Sequence, residues 1–218
     1  MSSPVAAAPT HRRRGRPKGG AVLVDRSQLL ASAERAIEAC GPDATMDQIA
    51  AEAQVTKPIL YRTIGDKAAL VDALSDVLVD RIGHAIDGSV VASDEPRAAF
   101  TASIRAYLAA VDADRGLYLF VNASGQRTGP LRSRIDRSAE QMIEMFTAAR
   151  GSIGSSTAAR TWSHSIVGAL QTVTLMWIDE ESNDDDEERS VDDLAGDVTA
   201  LLWPGVMKIL QGAVAEAD

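Results

Sequence analysis

Apolar side chains recur every three to four residues along most of the chain, the spacing that gives an α-helix one buried face. Strand-like alternation of apolar and polar residues is scarce, so the pattern predicts an all-α protein. The predicted helices span residues 26–40, 45–53, 57–64, 67–83, 95–112, 115–123, 128–150, 155–178 and 191–215. Pro204 predicts a kink or an early end in the last of them.

The second and third predicted helices begin with capping residues. Thr45 stands three residues before Gln48, which is the spacing of a capping box. Thr56 is a second N-cap candidate, and Pro58 is tolerated in the first turn because N–H groups there have no intrahelical partner. Two short helices joined by a turn of three or four residues form a helix-turn-helix, whose second helix enters the DNA major groove.

The side chains on the third predicted helix and just after it suit contact with DNA. Cationic and hydroxyl groups bind phosphate oxygens, and small apolar groups meet base edges and thymine methyls. The predicted phosphate contacts are Lys57, Tyr61, Arg62 and Lys67, and the predicted base-edge contacts are Pro58, Ile59 and Thr63. A helical hairpin with a solvated basic face is the alternative.

Residues 46–70, MDQIAAEAQVTKPILYRTIGDKAAL, resemble the DNA-binding domain of TetR-type bacterial transcriptional regulators, and the resemblance covers about residues 29–74. Two positions depart from the family pattern: Gln54 stands where the turn usually carries Gly, and Ile64 where an aromatic is usual. The resemblance implies that Thr56, Lys57, Pro58, Ile59, Tyr61 and Arg62 face DNA and that Lys67 approaches the DNA backbone. The predicted DNA contacts of this domain are Thr45, Thr56, Lys57, Pro58, Ile59, Tyr61, Arg62 and Lys67.

A basic segment precedes the first predicted helix, and its predicted DNA contacts are Arg12, Arg13, Arg14, Arg16 and Lys18. Residues 14–17, RGRP, resemble the core of an AT-hook, in which extended Arg side chains lie in a narrow A·T-rich minor groove. We expect residues 1–20 to form a disordered arm that extends the DNA footprint. A solubilising or processing tail is the alternative.

The charge is divided unevenly along the chain. Residues 1–72 hold 10 Lys and Arg against 8 Asp and Glu, a net charge of +2, whereas the remainder holds 12 against 23, a net charge of −11. We expect the acidic part to repel DNA and the N-terminal part to bind it with strong salt dependence. The predicted domains are therefore the arm (1–20), a helix-turn-helix domain (21–72) and a helical body for effector binding and dimerisation (73–218).

Residues 161–178 contain no charged side chain. A membrane span is one interpretation, but the segment is short and carries several polar residues, so a helix buried between its own domain and a second subunit is favoured. We expect this helix and the stripe Val191, Leu194, Val198, Leu201 and Leu202 to form a four-helix dimer interface. The resemblance implies the same, because TetR-type proteins dimerise through their last two helices.

The resemblance also implies a small-molecule effector cavity among the middle helices. The candidate lining residues are Phe100, Ile104, Tyr107, Leu117, Phe120, Met142, Met145, Phe146, Trp162, Ile166, Leu170 and Thr174, with His164 and Gln171 as further polar anchors. Their character favours an apolar, elongated ligand. Residues 118–122 and 176–179 look similar to TetR-type regulators of lipid metabolism that sense acyl-CoA. Ordinary core packing is the alternative for each residue.

The sequence contains no nucleophile elbow, phosphate-binding Gly loop, zinc-protease motif or Cys cluster, so we expect no enzyme activity, cofactor or metal. Cys40 is expected to be a core residue on the inner face of the first helix in a cytoplasmic, nucleoid-associated protein. The acidic run 179–188 lacks the ligand spacing of a calcium loop and is expected to be a solvated loop.

Together these observations predict a dimeric transcriptional regulator that acts as a repressor. It binds a near-palindromic operator in double-stranded DNA and responds to an apolar effector through the helix that begins at Lys67. Whether the effector releases or favours DNA binding stays open at this stage. A DNA-architectural protein without an effector is the alternative.

Overall fold

The computed structural model describes residues 25–90, 95–125, 157–181 and 189–215. These residues form eight α-helices and no strand, which confirms the all-α prediction. The helices are α1 (Arg26–Cys40), α2 (Met46–Glu52), α3 (Lys57–Thr63), α4 (Lys67–Val90), α5 (Pro96–Ala113), α6 (Arg115–Gly125), α7 (Thr157–Glu181) and α8 (Val191–Ala215). No helix in these ranges combines the length and apolar character that crossing a membrane requires. The predicted helix 128–150 lies outside the described residues.

Helices α1, α2 and α3 form the N-terminal unit, which we call the head. The Asp25 carboxylate caps α1 by accepting from the Ser27 backbone N–H at 3.0 Å. The buried residues of α1 include Leu29, Ala33 and Ile37, which are four residues apart and therefore share one helical face. The bounds of these three helices agree with the sequence prediction to within about two residues.

The prediction that Cys40 belongs to the core is wrong, because its side chain is exposed. Cys40 continues the spacing of the buried stripe of α1. However, α1 ends at this residue, and Gly41 turns the chain away with a φ of +79°. The apolar stripe therefore ends one helical turn earlier, at Ile37.

Helix α4 connects the head to the remaining helices and is longer than predicted, since it continues past Gly83 and Gly88 to Val90. A glycine inside a helix costs about 0.5–1 kcal/mol relative to alanine. Helix α4 packs along both α5 and α6, and these contacts offset that cost. The end expected near Gly83 is therefore wrong.

Helices α5 to α8 form the second unit, which we call the body. Helix α5 lies between α4 and α8, and α6 packs against α4 and α1. Pro204 does not end α8, which runs on to Ala215. The body and the head share one hydrophobic core, whose largest fully buried side chain is Phe120 on α6.

The predicted dimer stripe on α8 does not lie on one surface. Leu194 and Val198 are buried within the chain's own core, whereas Leu201 is 72% exposed. The expectation that all five residues face a second subunit is wrong for the buried pair. The reason is that α5 packs along this side of α8, so the chain itself covers the face that the periodicity marked as apolar.

Candidate nucleic-acid interface

Helix α2 begins with the predicted capping box. The Thr45 hydroxyl accepts from the Gln48 backbone N–H at 3.3 Å, and the Gln48 side-chain oxygen accepts from the Thr45 backbone N–H at 2.8 Å. The two bonds satisfy two N–H groups that a helix start would otherwise leave without partners. They fix the start of α2, whose Met46, Ile49 and Ala50 are buried.

The turn after α2 has a left-handed residue at its centre. Gln54 has a φ of +54°, its N–H donates to the Ala51 carbonyl at 3.0 Å, and the Val55 N–H donates to the Ala50 carbonyl at 3.0 Å. This pair of bonds is the Schellman ending of an α-helix, which requires positive φ at the position that glycine usually fills. Although Gln54 departs from the family pattern, the backbone of the turn is unchanged, because the glutamine adopts the left-handed conformation that glycine usually supplies.

Helix α3 is held by one deeply buried residue and exposes most of the rest. Leu60 is fully buried, and Ile64, just beyond the helix, is buried as well, so it fills a core site as the sequence predicts. The predicted contacts Thr56, Lys57, Pro58, Tyr61 and Arg62 are exposed, and Ile59 and Thr63 are half-buried. Thr56 has the backbone geometry of an N-cap but makes no capping hydrogen bond with its side chain. Thr45 is exposed at the start of α2.

An ion pair joins the starts of α2 and α3. The Lys57 Nζ lies 2.6 Å from Asp47 Oδ1, and both side chains are largely exposed. The hydrogen bond from this ammonium to Asp47 raises the pKa of Lys57 above its usual value, so the lysine stays charged. The sequence does not predict Asp47 as a site residue, because the nine residues between it and Lys57 give no spacing signal for the pair. A phosphate bound by Lys57 would have to compete with this carboxylate.

Lys67 lies at the junction of the head and the body. Its Nζ is 5.2 Å from the centre of the Phe120 ring on α6, within the range of a cation–π contact. The lysine side chain remains exposed at the first residue of α4. The structure thus places a predicted DNA contact beside a predicted effector contact. The predicted arm contacts Arg12, Arg13, Arg14, Arg16 and Lys18 lie outside the described residues.

A buried polar cluster lies among α5, α6 and α7. The hydroxyls of Tyr107 and Tyr118 are 3.1 Å apart, and each interacts with the hydroxyl of Thr174. Burial raises the pKa of both phenols, so both keep their protons at neutral pH. The sequence predicts Tyr107 and Thr174 as lining residues, whereas Tyr118 enters only through the resemblance of residues 118–122 to acyl-CoA-sensing regulators.

A second pair of polar side chains extends this cluster. The Asn122 side chain donates to the Tyr118 carbonyl at 2.8 Å and accepts from the Gln171 side-chain nitrogen at 2.5 Å. Asn122 is buried, and the sequence analysis did not name it as a site residue. Tyr118 and Asn122 are four residues apart on α6 and so share one face, which is a signal that the sequence did contain.

The other described residues of the predicted effector site are apolar, and they belong to the core or pack against it. These residues are Phe100, Ile104, Leu117, Phe120, Trp162, Ile166 and Leu170. The Phe100 ring packs against Trp203 of α8 with centres 5.8 Å apart. His164 lies with its Nδ1 2.6 Å from the Arg160 carbonyl, one turn back on its own helix. Met142, Met145 and Phe146 lie outside the described residues.

Across the described ranges, no three His, Cys, Asp or Glu side chains converge on a site that would hold a metal ion. Residues 182–188 of the acidic run lie outside those ranges.

Comparison with known proteins gives the same assignment for the head. Residues 29–74 match the family model of the bacterial regulatory proteins of the tetR family. An uncharacterised HTH-type transcriptional regulator of Mycobacterium tuberculosis is 27% identical over 197 residues, covering 85% of this chain and 79% of the relative.

Solved structures share the overall fold. A TetR-family transcriptional regulator from Streptomyces coelicolor is 19% identical, with a TM-score of 0.63 over 85% of this chain and 99% of that one. The fatty acid degradation regulator FadR from Bacillus halodurans is 17% identical, with a TM-score of 0.57 over 87% of this chain and 96% of that one. These matches agree in placing a helix-turn-helix before a helical body. The matched family consists of transcriptional regulators, which are not enzymes. Residues 29–74 therefore carry a helix-turn-helix of the tetR-family type, and the chain as a whole is similar to TetR-family transcriptional regulators.

Proposed function

We propose that this regulator binds a near-palindromic operator as a homodimer and acts as a repressor whose DNA affinity an apolar effector changes. The observation that carries the DNA-binding part is the exposed surface of α3. It presents cationic, hydroxyl and small apolar groups while one leucine, Leu60, anchors the helix in the core. The proposed domains are a DNA-binding domain of residues 21–72 and an effector-binding and dimerisation domain of residues 73–218.

Exposed faces of α7 and α8 support the dimer. Met176 is 55% exposed and Leu201 is 72% exposed, although both are large and apolar. A Cβ atom built on Gly168, Gly196 or Gly205 would meet nothing within 4 Å, so the backbone at these positions is open to a close neighbour. Two such faces pack as an isologous four-helix contact, in which the same surface serves both subunits.

The dimer is tested by Leu201→Asp, which places two like charges in the symmetric contact. Ala31→Asp on the exposed side of α1 is the matched control, because it adds the same charge in the head, away from α7 and α8. We expect sedimentation analysis to find the first variant as a monomer and the control as a dimer. A dimeric Leu201→Asp protein would contradict this interface.

The polar cluster of Tyr107, Tyr118, Thr174, Asn122 and Gln171 supports an effector site in the body. Effector pockets are mostly apolar with a few polar groups that fix the orientation of the ligand. This cluster is surrounded by apolar core residues and links α5 and α6 to α7. The B. halodurans neighbour is a fatty acid degradation regulator, which favours an acyl chain as the apolar part of the ligand.

The proposed mechanism is a shift between two arrangements of the heads. The effector prefers the arrangement in which α4 has moved, and the two recognition helices then no longer match adjacent major grooves. Coupling of about 1–3 kcal/mol is typical of such systems and changes operator affinity by about 5- to 150-fold. Helix α6 is suited to transmit the change, because Tyr118 belongs to the polar cluster while Phe120 contacts Lys67 at the start of α4.

The test combines DNA from the gene's own promoter region with three probes of equal chain length: dodecanoyl-CoA, dodecanoate and 1-dodecanol. We expect specific binding to the promoter duplex over a random competitor. We also expect at least one probe to raise the melting temperature of the protein and to lower its DNA affinity. Tyr118→Phe should reduce that thermal shift. If the protein bound the promoter duplex specifically but responded to none of the three probes, the proposed DNA-binding function would stand and the proposed acyl-chain effector would be wrong.

A further inference from the structure

One arginine joins three helices at the boundary between the head and the body. The Arg81 Nη2 on α4 lies 2.5 Å from Glu34 Oε2 on α1, and its Nη1 lies 3.0 Å from Asp114 Oδ2. Asp114 is the single residue between α5 and α6. We call these three residues the clamp. Through it, one guanidinium ties the first helix of the head to the corner of the body.

The chemistry of the clamp favours a geometric role over a stabilising one. Arginine holds its donors in a rigid planar fork, so it fixes the directions of two separate carboxylates at once. The side chains of Arg81, Glu34 and Asp114 are 42%, 24% and 33% exposed. Ion pairs this close to solvent contribute little to folding, so their loss should leave the protein folded.

Two other contacts at the same boundary involve no hydrogen bond. The Cβ position of Gly116 on α6 lies 3.8 Å from the Ile37 side chain of α1, and Lys67 lies over the Phe120 ring. The first is an apolar contact and the second is a cation–π contact, and neither fixes a hydrogen-bond direction between the units. The clamp adds defined hydrogen-bond directions, because Arg81 donates to both carboxylates.

We propose that Arg81 positions the head relative to the body and thereby sets the half-site spacing that the dimer accepts. This inference rests on the proposed dimeric binding of an operator. Arg81 lies fourteen residues after Lys67, which is about 21 Å along α4 at the rise of an α-helix. A rotation of roughly 10° about the clamp moves the start of α4 by about 3.7 Å, close to the rise of about 3.4 Å between base pairs. A change of angle this small is therefore enough to shift the preferred spacing by one base pair.

The experiment begins with the full-length wild-type protein and a random duplex library. The enriched duplex is then remade with one or two base pairs added or removed between its half-sites, and the affinity for each is measured. The ratio between the best and the next-best spacing is the spacing discrimination. Arg81→Gln is compared with Arg105→Gln, because Arg105 makes an exposed ion pair of 2.5 Å with Asp192 inside the body. Both variants lose one positive charge.

We expect Arg81→Gln to reduce the spacing discrimination roughly 3- to 10-fold, because the variant loses two exposed ion pairs and each contributes a small factor. Arg105→Gln should keep the wild-type ratio. Asp114→Asn should give a partial loss. Arg81→Lys should do the same, because an ammonium lacks the fork that holds both carboxylates. Melting curves confirm that each variant is folded, and Asp114→Asn carries the test if Arg81→Gln does not fold.

Unchanged discrimination in Arg81→Gln would overturn the clamp and leave the proposed function intact. An equal loss in Arg105→Gln would also overturn the clamp, because the effect would then be one of net charge. A wild-type protein that enriches no two-half-site duplex would remove both proposals.

Discussion

The turn of the helix-turn-helix contains a measurable strain. Gln54 has a φ of +54°, and the left-handed conformation costs a residue with a Cβ about 1–2 kcal/mol. Glycine adopts this conformation freely but loses about 0.5–1 kcal/mol more backbone entropy on folding. Taking the middle of both ranges, Gln54→Gly should therefore stabilise the protein by about 0.75 kcal/mol. For a chain of this size that corresponds to a rise of about 1–4 °C in melting temperature.

Two control variants separate backbone strain from other effects. Gln54→Ala keeps the Cβ and loses the rest of the side chain, so it should give no gain. Ala51→Gly sits at an exposed position inside α2, where the backbone is right-handed, and should cost about 0.5–1 kcal/mol. The assay is urea denaturation followed by circular dichroism at one fixed protein concentration, because the stability of a dimer depends on concentration.

A neutral or destabilising Gln54→Gly, alongside the expected loss in Ala51→Gly, would refute this reasoning. The glutamine would then be making an interaction worth as much as the strain. If Gln54→Ala stabilised the protein as much as Gln54→Gly, the destabilisation at this position would come from the side chain beyond the Cβ. Backbone strain would then not be its cause.

Three further predictions concern single residues. Asp47→Asn frees Lys57 for phosphate, so DNA affinity should rise. The slope of the logarithm of affinity against the logarithm of salt concentration should become steeper by up to about 0.9. An equal gain in affinity in Asp192→Asn, in the body, would contradict a local cause. Gly65→Ala should lower the free energy of unfolding by about 1–3 kcal/mol. The reason is that Gly65 has a φ of +111° and a new Cβ would lie 2.8 Å from another side chain. An unchanged melting temperature would refute this prediction. The raised pKa of Tyr118 means that the folded state retains a proton that the unfolded state loses near pH 10, so stability should fall as pH rises above about 10. Tyr118→Phe should make that fall shallower, and an identical slope between pH 9 and 11 would count against it.

The head could be predicted in detail because its signals are local. Thr45 and Gln48 are three residues apart, and the capping box that their spacing indicates is present. Gly41 and Gly65 both have positive φ at helix boundaries, where glycine is favoured. The error at Cys40 arose because periodicity continues to the last residue of a helix, whereas burial needs a neighbouring element to cover that residue.

The body could be predicted only as a set of helices. Glu34 and Arg81 are 47 residues apart, and Asn122 and Gln171 are 49 apart, so only the tertiary fold brings these partners together. The length of α4 also depends on packing, since α5 and α6 hold it helical through two glycines. On α8, apolar residues point both to the chain's own core and to the outside. Periodicity does not distinguish these two directions, so the sequence predicts Leu194 and Leu201 on one surface although only Leu201 is exposed.

The central claim is that paired heads of a dimer read two half-sites on one side of a DNA duplex. Hydroxyl-radical footprinting of the wild-type protein on its enriched duplex tests this most directly. We expect two protected segments whose centres are roughly 34–36 Å apart, or one helical turn, with the recognition helices in successive major grooves. A single protected segment, or uniform protection along the duplex, would contradict it.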